Sequence, residues 1–371
     1  MQSFISLEEA LSILNENVNQ LDVEEINLMN GINRVLAMDV YSEIDNPPFD
    51  KSAMDGYAII AEDSKSEEKI NVIDKVFAGN VCSSIVTSKT AVRIMTGAPI
   101  PSGANAVIKQ EDIKLIDDNY IVLNKAIKEN ENICFKGEDI KKGSLLVKKG
   151  KKLDYADIGI IASAGVEKIK VYKLPRIALI STGDEVIDID NKLTPGKIFN
   201  SNKYSIISRI KELGYDVSYT THVNDSESQI EEYINNLSME MDLILTTGGV
   251  SVGEKDLLNE SIENINGKRL FWKVKMKPGS AVLCSKVNNI FSSDVFAKTS
   301  LEKMLGYDDV KVKREKAVLC DTFSKRSPQR RFIRARASIE DGKQVVYITQ
   351  IKSGNGILSS NLNSNCMIEV Q

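Results

Sequence analysis

Strand-like and helix-like segments alternate between residues 176 and 265, and this alternation is the feature that most constrains the fold. Three apolar runs of strand length are each followed by an amphipathic run of helix length, and the pairs are 176–181 with 201–213, 216–221 with 225–237, and 242–247 with 255–265. This order predicts a parallel sheet covered by helices. Ligands of such folds bind beyond the carboxyl ends of the strands, so we expect a site at that rim.

Two glycine-containing turns lie at the predicted rim. The segment 182–185 (TGDE) follows one strand, and the segment 246–256 (TTGGVSVGEKD) follows another. Glycine lets the backbone approach a ligand closely, and backbone N–H groups near a helix start can bind an anion. Carboxylates on both turns, Glu185 and Asp256, suit Mg²⁺ bound together with a substrate phosphate. Asp256 could instead be an N-terminal partner of the helix dipole, and Asp225 either a helix cap or a functional residue.

A lysine-rich segment, 271–279 (FWKVKMKPG), alternates lysine with apolar residues. At a period of two, Lys273, Lys275 and Lys277 share one face of a strand. The sequence therefore predicts a row of cations that suits phosphate or oxyanion chemistry. Edge strands also carry lysine to block pairing with other strands, so that interpretation stays open.

The remaining segments predict further domains. Residues 1–44 are predicted to be helical, with a capping box formed by Ser6 and Glu9. A helical pattern also occurs within 133–174, and the two ranges together are predicted to form one helical domain. Short β-type runs punctuated by Gly and Pro fill 45–132, which predicts an inserted β-rich domain. The α/β domain then covers 175–308, and a small β domain covers 309–371.

The composition excludes several classes of protein. The 371 residues carry a net charge of −4, so the chain lacks the basic surface of a nucleic-acid binder. No apolar run reaches the roughly 20 residues of a membrane span, and the N-terminus is unlike a signal peptide, so we expect a cytoplasmic protein. His222 is the only histidine and the five cysteines are scattered, which argues against a zinc site or a histidine-based triad. Any metal should therefore be a hard cation held by carboxylates.

Six motifs occur in a fixed order along nearly the whole chain. They are 46–58 (NPPFDKSAMDGYA), 93–101 (RIMTGAPIP), 137–140 (GEDI), 181–185 (STGDE), 246–251 (TTGGVS) and 276–279 (MKPG). Together they resemble the molybdopterin molybdenumtransferases, the family of MoeA and the gephyrin E domain. The resemblance implies an α/β multidomain enzyme with a parallel-sheet molybdopterin-binding domain, a helical N-terminal domain with an inserted β-rich domain, and a C-terminal β-barrel-like domain.

The resemblance also implies an activity and a set of site residues. A homodimeric enzyme of this family would insert molybdate into adenylylated molybdopterin with the help of Mg²⁺ and release AMP. The resemblance assigns catalytic roles to Asp55, Thr96, Asp139 and Asp225 and metal binding to Glu185 and Asp256. Contacts to the substrate fall on Thr182, Gly183, Gly248, Gly249, Ser251, Lys273, Lys277 and Arg334. Asp55, Thr96 and Asp139 would complete a composite site across the dimer, although Asp55 could simply be a turn residue before Gly56.

Three departures from the family pattern favour a rival interpretation. Ser280 stands where the family usually has lysine, and Asn355 stands where it commonly has serine. A strand and a Gly-Asn-Pro loop are expected to be missing near residues 287–294. These departures suit a catalytically weak or inactive paralogue that binds a pterin or scaffolds a partner. A different nucleotidyl or phosphoryl transferase is a further rival, weakened because the chain lacks a GxxxxGK[ST] loop and a GxGxxG loop.

Overall fold

A computed structural model describes most of the chain. The described residues are 2–65, 68–117, 119–249, 257–288, 290–292, 296–307, 314–323, 327, 329–349 and 362–370. Contacts divide the chain into two compact units, residues 1–24 with 172–371 and residues 25–171. The five predicted domain ranges are finer than this division and stay predictions.

The first unit contains a seven-stranded sheet with helices packed on it. In chain order its elements are β1 (Gln2–Ile5), α1 (Leu7–Asn17), β2 (Ile177–Thr182), α2 (Ser201–Glu212), β3 (Val217–Val223), α3 (Glu227–Leu237), β4 (Leu243–Thr247), α4 (Leu257–Asn264), β5 (Lys268–Val274), β6 (Met276–Lys277), β7 (Leu283–Val287), β8 (Ile290–Ser292), α5 (Ala297–Met304), β9 (Arg330–Glu340), β10 (Lys343–Ile348) and β11 (Cys366–Val370). The strand order is β1-β5-β7-β8-β4-β2-β3. Strands β4, β2 and β3 are parallel, as predicted, and β8 joins them in parallel. Strand β7 is antiparallel to both of its neighbours, β5 and β8.

Burial explains why the central strands form a parallel sheet. Every residue of β2 is buried, and so are the first four residues of β4. Helix α3 covers one apolar cluster with Ile230 and Ile234, and α4 adds Leu258 and Ile262 to the same cluster. Each fully buried side chain of this kind contributes about 1.5–3 kcal/mol, so the parallel strands are held from the side on which these helices pack.

The prediction that a strand of the sheet is missing is wrong. Strand β8 follows β7 after only residues 288–289, and Leu243 of β4 is in parallel register with Phe291 of β8. Asn288 has φ of +47°, a conformation that asparagine adopts more readily than most residues and that suits a tight reversal. The sheet is therefore continuous through β8. The predicted absence of the Gly-Asn-Pro loop falls at residues 293–295, which lie outside the described residues.

The helical interpretation of residues 1–44 holds only for α1. Its capping box is confirmed, since the Ser6 hydroxyl accepts the Glu9 N–H at 3.1 Å and the Glu9 carboxylate accepts the Ser6 N–H at 2.7 Å. Residues Val23–Asn27 form a strand instead. Strand β1 pairs in parallel with β5, so the N-terminal segment joins the unit that contains the parallel sheet. Pairing between residues about 270 positions apart leaves no local signal in the sequence.

The second unit is built on a six-stranded sheet, which confirms the β-rich texture predicted there. Its strands, in spatial order, are Ala106–Lys109, Gly56–Ile59, Thr90–Ile94, Ile70–Val76, Tyr120–Leu123 and Ile113–Asp117. Apolar clusters cover both faces of this sheet. Short strand pairs join Val40–Tyr41 to Leu145–Val147 and Lys51–Ser52 to Ile133–Cys134. A helix spans Tyr155–Ser163, and its N-cap residue Asp154 forms a capping box. Gly165 follows the helix with φ of +82°.

The C-terminal part of the first unit is a small β-sheet, as predicted. Long strand β9 pairs with β6, β10 and β11, and Val318–Leu319 pairs with β10. An ion pair connects this sheet to α1, because Arg330 contacts Glu8 at 2.5 Å. Within the sheet, Arg330 also contacts Glu369 of β11 at 3.2 Å. Among the described helices, none has the length and apolar character needed to cross a membrane.

Candidate active site at the ends of the parallel strands

The turns after β2 and β4 lie side by side because these strands are parallel neighbours. Ser181 is in register with Thr247, and Thr182 Oγ1 donates a hydrogen bond of 3.3 Å to the Thr247 carbonyl. Gly248 follows with φ of +93°, and a Cβ atom there would lie 2.5 Å from Thr182 Oγ1 and 2.7 Å from the Thr182 carbonyl oxygen. Only glycine permits this approach of the two turns.

Gly249 continues the second turn in the left-handed conformation. Its φ is +66°, and a Cβ atom there would lie 3.2 Å from Leu258 Cδ1 at the start of α4. The structure therefore brings together Thr182, Gly183, Gly248 and Gly249, and successive N–H groups in such turns can bind an anion. Ser251 and Asp256 lie outside the described residues, and so does the rest of the loop up to α4.

The turn after β2 folds a carboxylate back over its own backbone. Gly183 has φ of +130°, and a Cβ atom there would lie 2.7 Å from Glu185 Oε2. The Val186 N–H donates to the Gly183 carbonyl at 3.1 Å and closes the turn. Glu185 is exposed at the rim, where a metal or a phosphate can reach it.

Asp184 and Asp225 meet at the ends of β2 and β3. The Asp225 N–H donates to Asp184 Oδ1 at 3.0 Å, and Lys197 Nζ donates to the Asp184 carbonyl at 2.5 Å. Ser226, and not Asp225, is the N-cap residue of α3, so the structure does not support the helix-cap interpretation of Asp225. Asp184 is exposed at the rim, as Glu185 is, and Asp225 is half-buried.

Two buried residues support the rim: Ser181, the first residue of the 181–185 motif, and Asn200, which no sequence motif indicated. Asn200 Nδ2 donates to Ser181 Oγ at 2.8 Å, and Ser181 Oγ donates to the Thr221 carbonyl at 3.2 Å. Asn200 Oδ1 also accepts the Lys203 N–H at 3.1 Å, which caps α2. The hydrogen bonds link β2, β3 and α2 directly beneath the Gly183 turn. An asparagine directly before a helical run is a readable N-cap signal that could have identified Asn200.

Asp188 fixes the outer part of the segment after β2. Lys203 Nζ and Tyr204 Oη both donate to its carboxylate, and these two hydrogen bonds lower the pKa of Asp188 to about 2. The same contact with Asp188 raises the pKa of Tyr204. The first turn of α2 therefore holds the segment that carries Asp184 and Glu185.

Lys273, Lys275 and Lys277 do not lie on one regular strand, so that prediction is wrong. Strand β5 ends at Val274, β6 begins at Met276, and Lys273 has φ of +62°. Val274 and Met276 are buried, Lys275 and Lys277 are exposed, and Lys273 is half-buried. The left-handed backbone at Lys273 breaks the alternation of faces that a period of two requires.

Ser280 closes the turn that follows β5. The Val274 N–H donates to the Ser280 carbonyl at 3.0 Å, and Ser280 Oγ donates to the Val274 carbonyl at 2.8 Å. The residue at 280 thus shapes the turn, whereas lysine in the family would add a charge. Lys277 is in parallel register with Arg331 of β9, the strand that also carries Arg334. The structure therefore places the backbone of Lys277 next to β9, the strand that carries Arg334.

Two predicted residues meet in the second unit. Asp55 Oδ1 accepts hydrogen bonds from the Thr96 N–H and the Thr96 hydroxyl, both at 2.7 Å. These bonds, the backbone one first, hold the pKa of the Asp55 carboxyl below its ordinary value. Asp139 lies on another loop of this unit, where its N–H donates to the Asn46 carbonyl at 3.1 Å. The hydrogen bonds tie the Asp55 turn to Thr96, and the catalytic role of both residues stays a prediction.

The donor atoms at the rim fit a hard cation. Glu185, Asp184 and Asp225 supply carboxylate oxygens, the ligands that Mg²⁺ prefers. Within the described ranges, no group of three or more His, Cys, Asp or Glu residues is arranged to hold a metal ion. Asp256 is outside those ranges, so its pairing with Glu185 stays a prediction.

Comparisons with known proteins agree with the geometry. Three family models match successive parts of the chain: the MoeA N-terminal region (domains I and II) at 5–165, a probable molybdopterin binding domain at 178–307, and the MoeA C-terminal region (domain IV) at 316–371. A molybdopterin molybdenumtransferase of Staphylococcus aureus (strain COL) is 33% identical over 383 residues, which cover 98% of this chain and 91% of that protein.

Further relatives extend the agreement. A molybdopterin molybdenumtransferase of Haemophilus influenzae is 36% identical over 286 residues, 77% of this chain and 70% of that protein. The crystal structure of the molybdopterin biosynthesis MoeA protein from Pyrococcus horikoshii OT3 matches with a TM-score of 0.82 and 32% identity, covering 99% of this chain and 95% of that one. The chain therefore belongs to the MoeA family of molybdopterin molybdenumtransferases.

Proposed function

We propose that this protein acts in molybdenum cofactor biosynthesis by inserting molybdate into adenylylated molybdopterin with release of AMP. The observation that carries the proposal is the convergence of the Thr182-Gly183 and Thr247-Gly248-Gly249 turns, where a side chain at Gly248 would fill the space beside Thr182. Paired glycine turns of this kind suit the phosphates of a nucleotide-linked pterin. The names of the relatives supply the substrate class.

In this proposal, each group of site residues has a separate role. Lys273, Lys277 and Arg334 attract the molybdate dianion, and the glycine turns bind the phosphates. Mg²⁺ would be held by Glu185 and Asp256 and would neutralise charge on the phosphates. Molybdate transfer needs no protein nucleophile, so placement and preorganised charge carry the catalysis. The contact that keeps Asp55 ionised makes it a fixed negative group beside Thr96.

We further propose that the active form is a homodimer. Asp55 and Thr96 lie in the unit formed by residues 25–171, whereas the glycine turns lie in the other unit. Family resemblance assigns both sets to one site that two subunits complete, with Asp139 in the same set. Light scattering at micromolar protein concentration should give twice the chain mass of 41.1 kDa, and a single-chain mass would contradict the proposal.

The decisive experiment is an AMP-release assay with purified protein and adenylylated molybdopterin. Release should depend on molybdate, and Lys277→Ala should raise the molybdate concentration needed about tenfold, because a lost charge-assisted hydrogen bond is worth roughly 1.5–3 kcal/mol. Lys268→Ala, on an exposed position of β5, is the matched control.

The same assay decides between this proposal and its rivals. A chain that binds the substrate tightly but releases no AMP would be the pterin-binding paralogue that Ser280 and the missing loop favour. Molybdate-independent release of AMP would instead indicate a different nucleotidyl or phosphoryl transferase. Either result would overturn the proposed activity.

A further inference from the structure

Trp272 and Lys273 make a contact that a regular strand forbids. Consecutive side chains of a strand point to opposite faces. Here Lys273 Nζ lies 3.9 Å from the centroid of the Trp272 ring, within the range of a cation–π interaction. The φ of +62° at Lys273 turns its side chain back onto its neighbour.

The conformation is uncommon for a lysine, because the left-handed region is disfavoured relative to an extended backbone for residues other than glycine. Such outliers persist where the surroundings fix them, and they concentrate at functional sites. On either side of the outlier the backbone is anchored, since the Lys273 N–H donates to the Val282 carbonyl at 2.9 Å and the Val274 N–H donates to the Ser280 carbonyl at 3.0 Å.

The indole ring provides a rigid platform for the ammonium group. Trp272 packs against the apolar cluster of the parallel sheet, and its Nε1 is buried without a hydrogen-bond partner among the described residues. Lys273 is half-buried, whereas Lys277 is exposed, and the ammonium of Lys275 lies 5.9 Å from the Phe4 ring centroid. Of these three cations, Lys273 therefore has the closest aromatic contact and the most restricted side chain.

We infer that Trp272 is a positioning residue that holds the Lys273 ammonium ready for an oxyanion. This inference rests on the proposed function, in which Lys273 captures molybdate. A free lysine loses side-chain entropy when it binds an anion, and a lysine already ordered on a ring loses less. The ring thereby improves capture of the anion without touching it.

The contact itself can be tested without any substrate. Trp272 is the only tryptophan of the chain, so intrinsic fluorescence reports on this ring alone. An ammonium in contact with an indole quenches its emission, so Lys273→Met should raise the emission intensity, and Lys268→Met on the same strand should leave it unchanged. Equal emission from the native protein and both variants would overturn the inference.

The positioning role is tested by the molybdate dependence of AMP release. Trp272→Phe keeps an aromatic ring that binds the Lys273 ammonium more weakly, and Trp272→Leu removes the ring. KM for molybdate should rise about two- to fivefold in the leucine variant and less in the phenylalanine variant, with kcat little changed. A fall in kcat or in melting temperature with unchanged KM would show that Trp272 only supports the fold.

Titration with molybdate alone distinguishes a failure of the proposed activity from a failure of the inference about Trp272. Molybdate bound to the ammonium should partly neutralise the charge beside the ring and raise the emission of the native protein, with no response in Lys273→Met. If the protein releases no AMP but this response is present, the proposed activity fails and the inference stands. If AMP release depends on molybdate but the response is absent, the inference fails alone.

Discussion

Four described residues at the site have positive φ, and three of them are glycines in the turns after β2 and β4. Gly183 and Gly248 let the turns after β2 and β4 approach, with the Thr182 side chain between them. Lys273 adopts a similar φ without the freedom of glycine. The backbone conformation at these positions therefore matters as much as the side-chain chemistry.

Gly248→Ala should destabilise the protein by more than its backbone conformation alone requires. The added Cβ would lie 2.7 Å from the Thr182 carbonyl oxygen, which cannot move without shifting β2. Gly196→Ala is the matched control, since φ there is +81° and no atom lies within 4 Å of the added Cβ. We expect a loss of about 1 kcal/mol for the control and at least about twice that for Gly248→Ala in denaturant unfolding. Equal losses would show that the turns can separate freely.

Lys273→Asn should stabilise the protein and weaken molybdate capture. Asparagine tolerates the left-handed region better than lysine, so unfolding free energy should rise by up to about 1 kcal/mol. Loss of the ammonium should raise the molybdate requirement of AMP release about tenfold. Lys268→Asn is the control on the extended part of β5. A destabilised Lys273→Asn protein would show that the lysine backbone is unstrained.

At the scale of elements, the helices hold the segments that carry the site. Asn200 caps α2 and contacts β2, and the first turn of α2 also binds Asp188 through Lys203 and Tyr204. The segment between β2 and α2 is thus fixed at both ends. Glu185 lies on it near the beginning and depends on this arrangement for its position.

Asp188→Asn should lower stability in a pH-dependent way. Because the folded pKa of Asp188 is depressed to about 2 from 3.8, its contribution is complete above pH 3.8 and is lost as the pH falls toward about 2. Its side chain is 33% exposed, so solvent screening limits the contribution to about 1 kcal/mol. The native protein and the variant should differ at neutral pH and converge in acid, whereas Asp190→Asn should follow the native curve. A difference independent of pH would exclude the ionised contact as the cause.

At the scale of the whole molecule, the sheet is continuous through β8. Strand β8 occupies its place beside β4, so the fold does not depend on the family's Gly-Asn-Pro loop. The alignment with the Staphylococcus aureus relative spans 383 residues, more than the 371 of this chain, so that relative has residues without a counterpart here. We expect the predicted loss of the Gly-Asn-Pro loop to bear on turnover more than on folding.

Insertion of the family's Gly-Asn-Pro loop between β8 and α5 should raise turnover with little effect on stability. The glycine turns and the cations supply binding, and the loop would add contacts to the same rim. Contacts made in the transition state alter kcat more than affinity. The measurement is molybdate-dependent AMP release per site, with an insertion of equal length in glycine and serine as the control. If the native chain already matches a relative that has the loop, the loop is dispensable.

Much of the fold was readable from the sequence because its signals are local. The alternation of apolar runs predicted β2, β3, β4 and their helices, and Ser6 with Glu9 predicted the start of α1. The glycines of the two turns were identified from their positions after strands. The pairing of Asp55 with Thr96 followed from resemblance to a family, and no local pattern in this chain shows it.

Local signals in the sequence were enough to predict the parallel strands, their helices and the rim, because periodicity, caps and glycine turns act over a few residues. Only the tertiary structure decided that β1 pairs with β5, that β8 completes the sheet, and that the row of lysines breaks at Lys273. Strand pairing depends on backbone groups that every residue carries, so distant partners leave no mark in the side-chain pattern. The left-handed turn at Lys273 depends on Trp272, Val282 and Ser280 acting together, and their arrangement exists only once the sheet has formed.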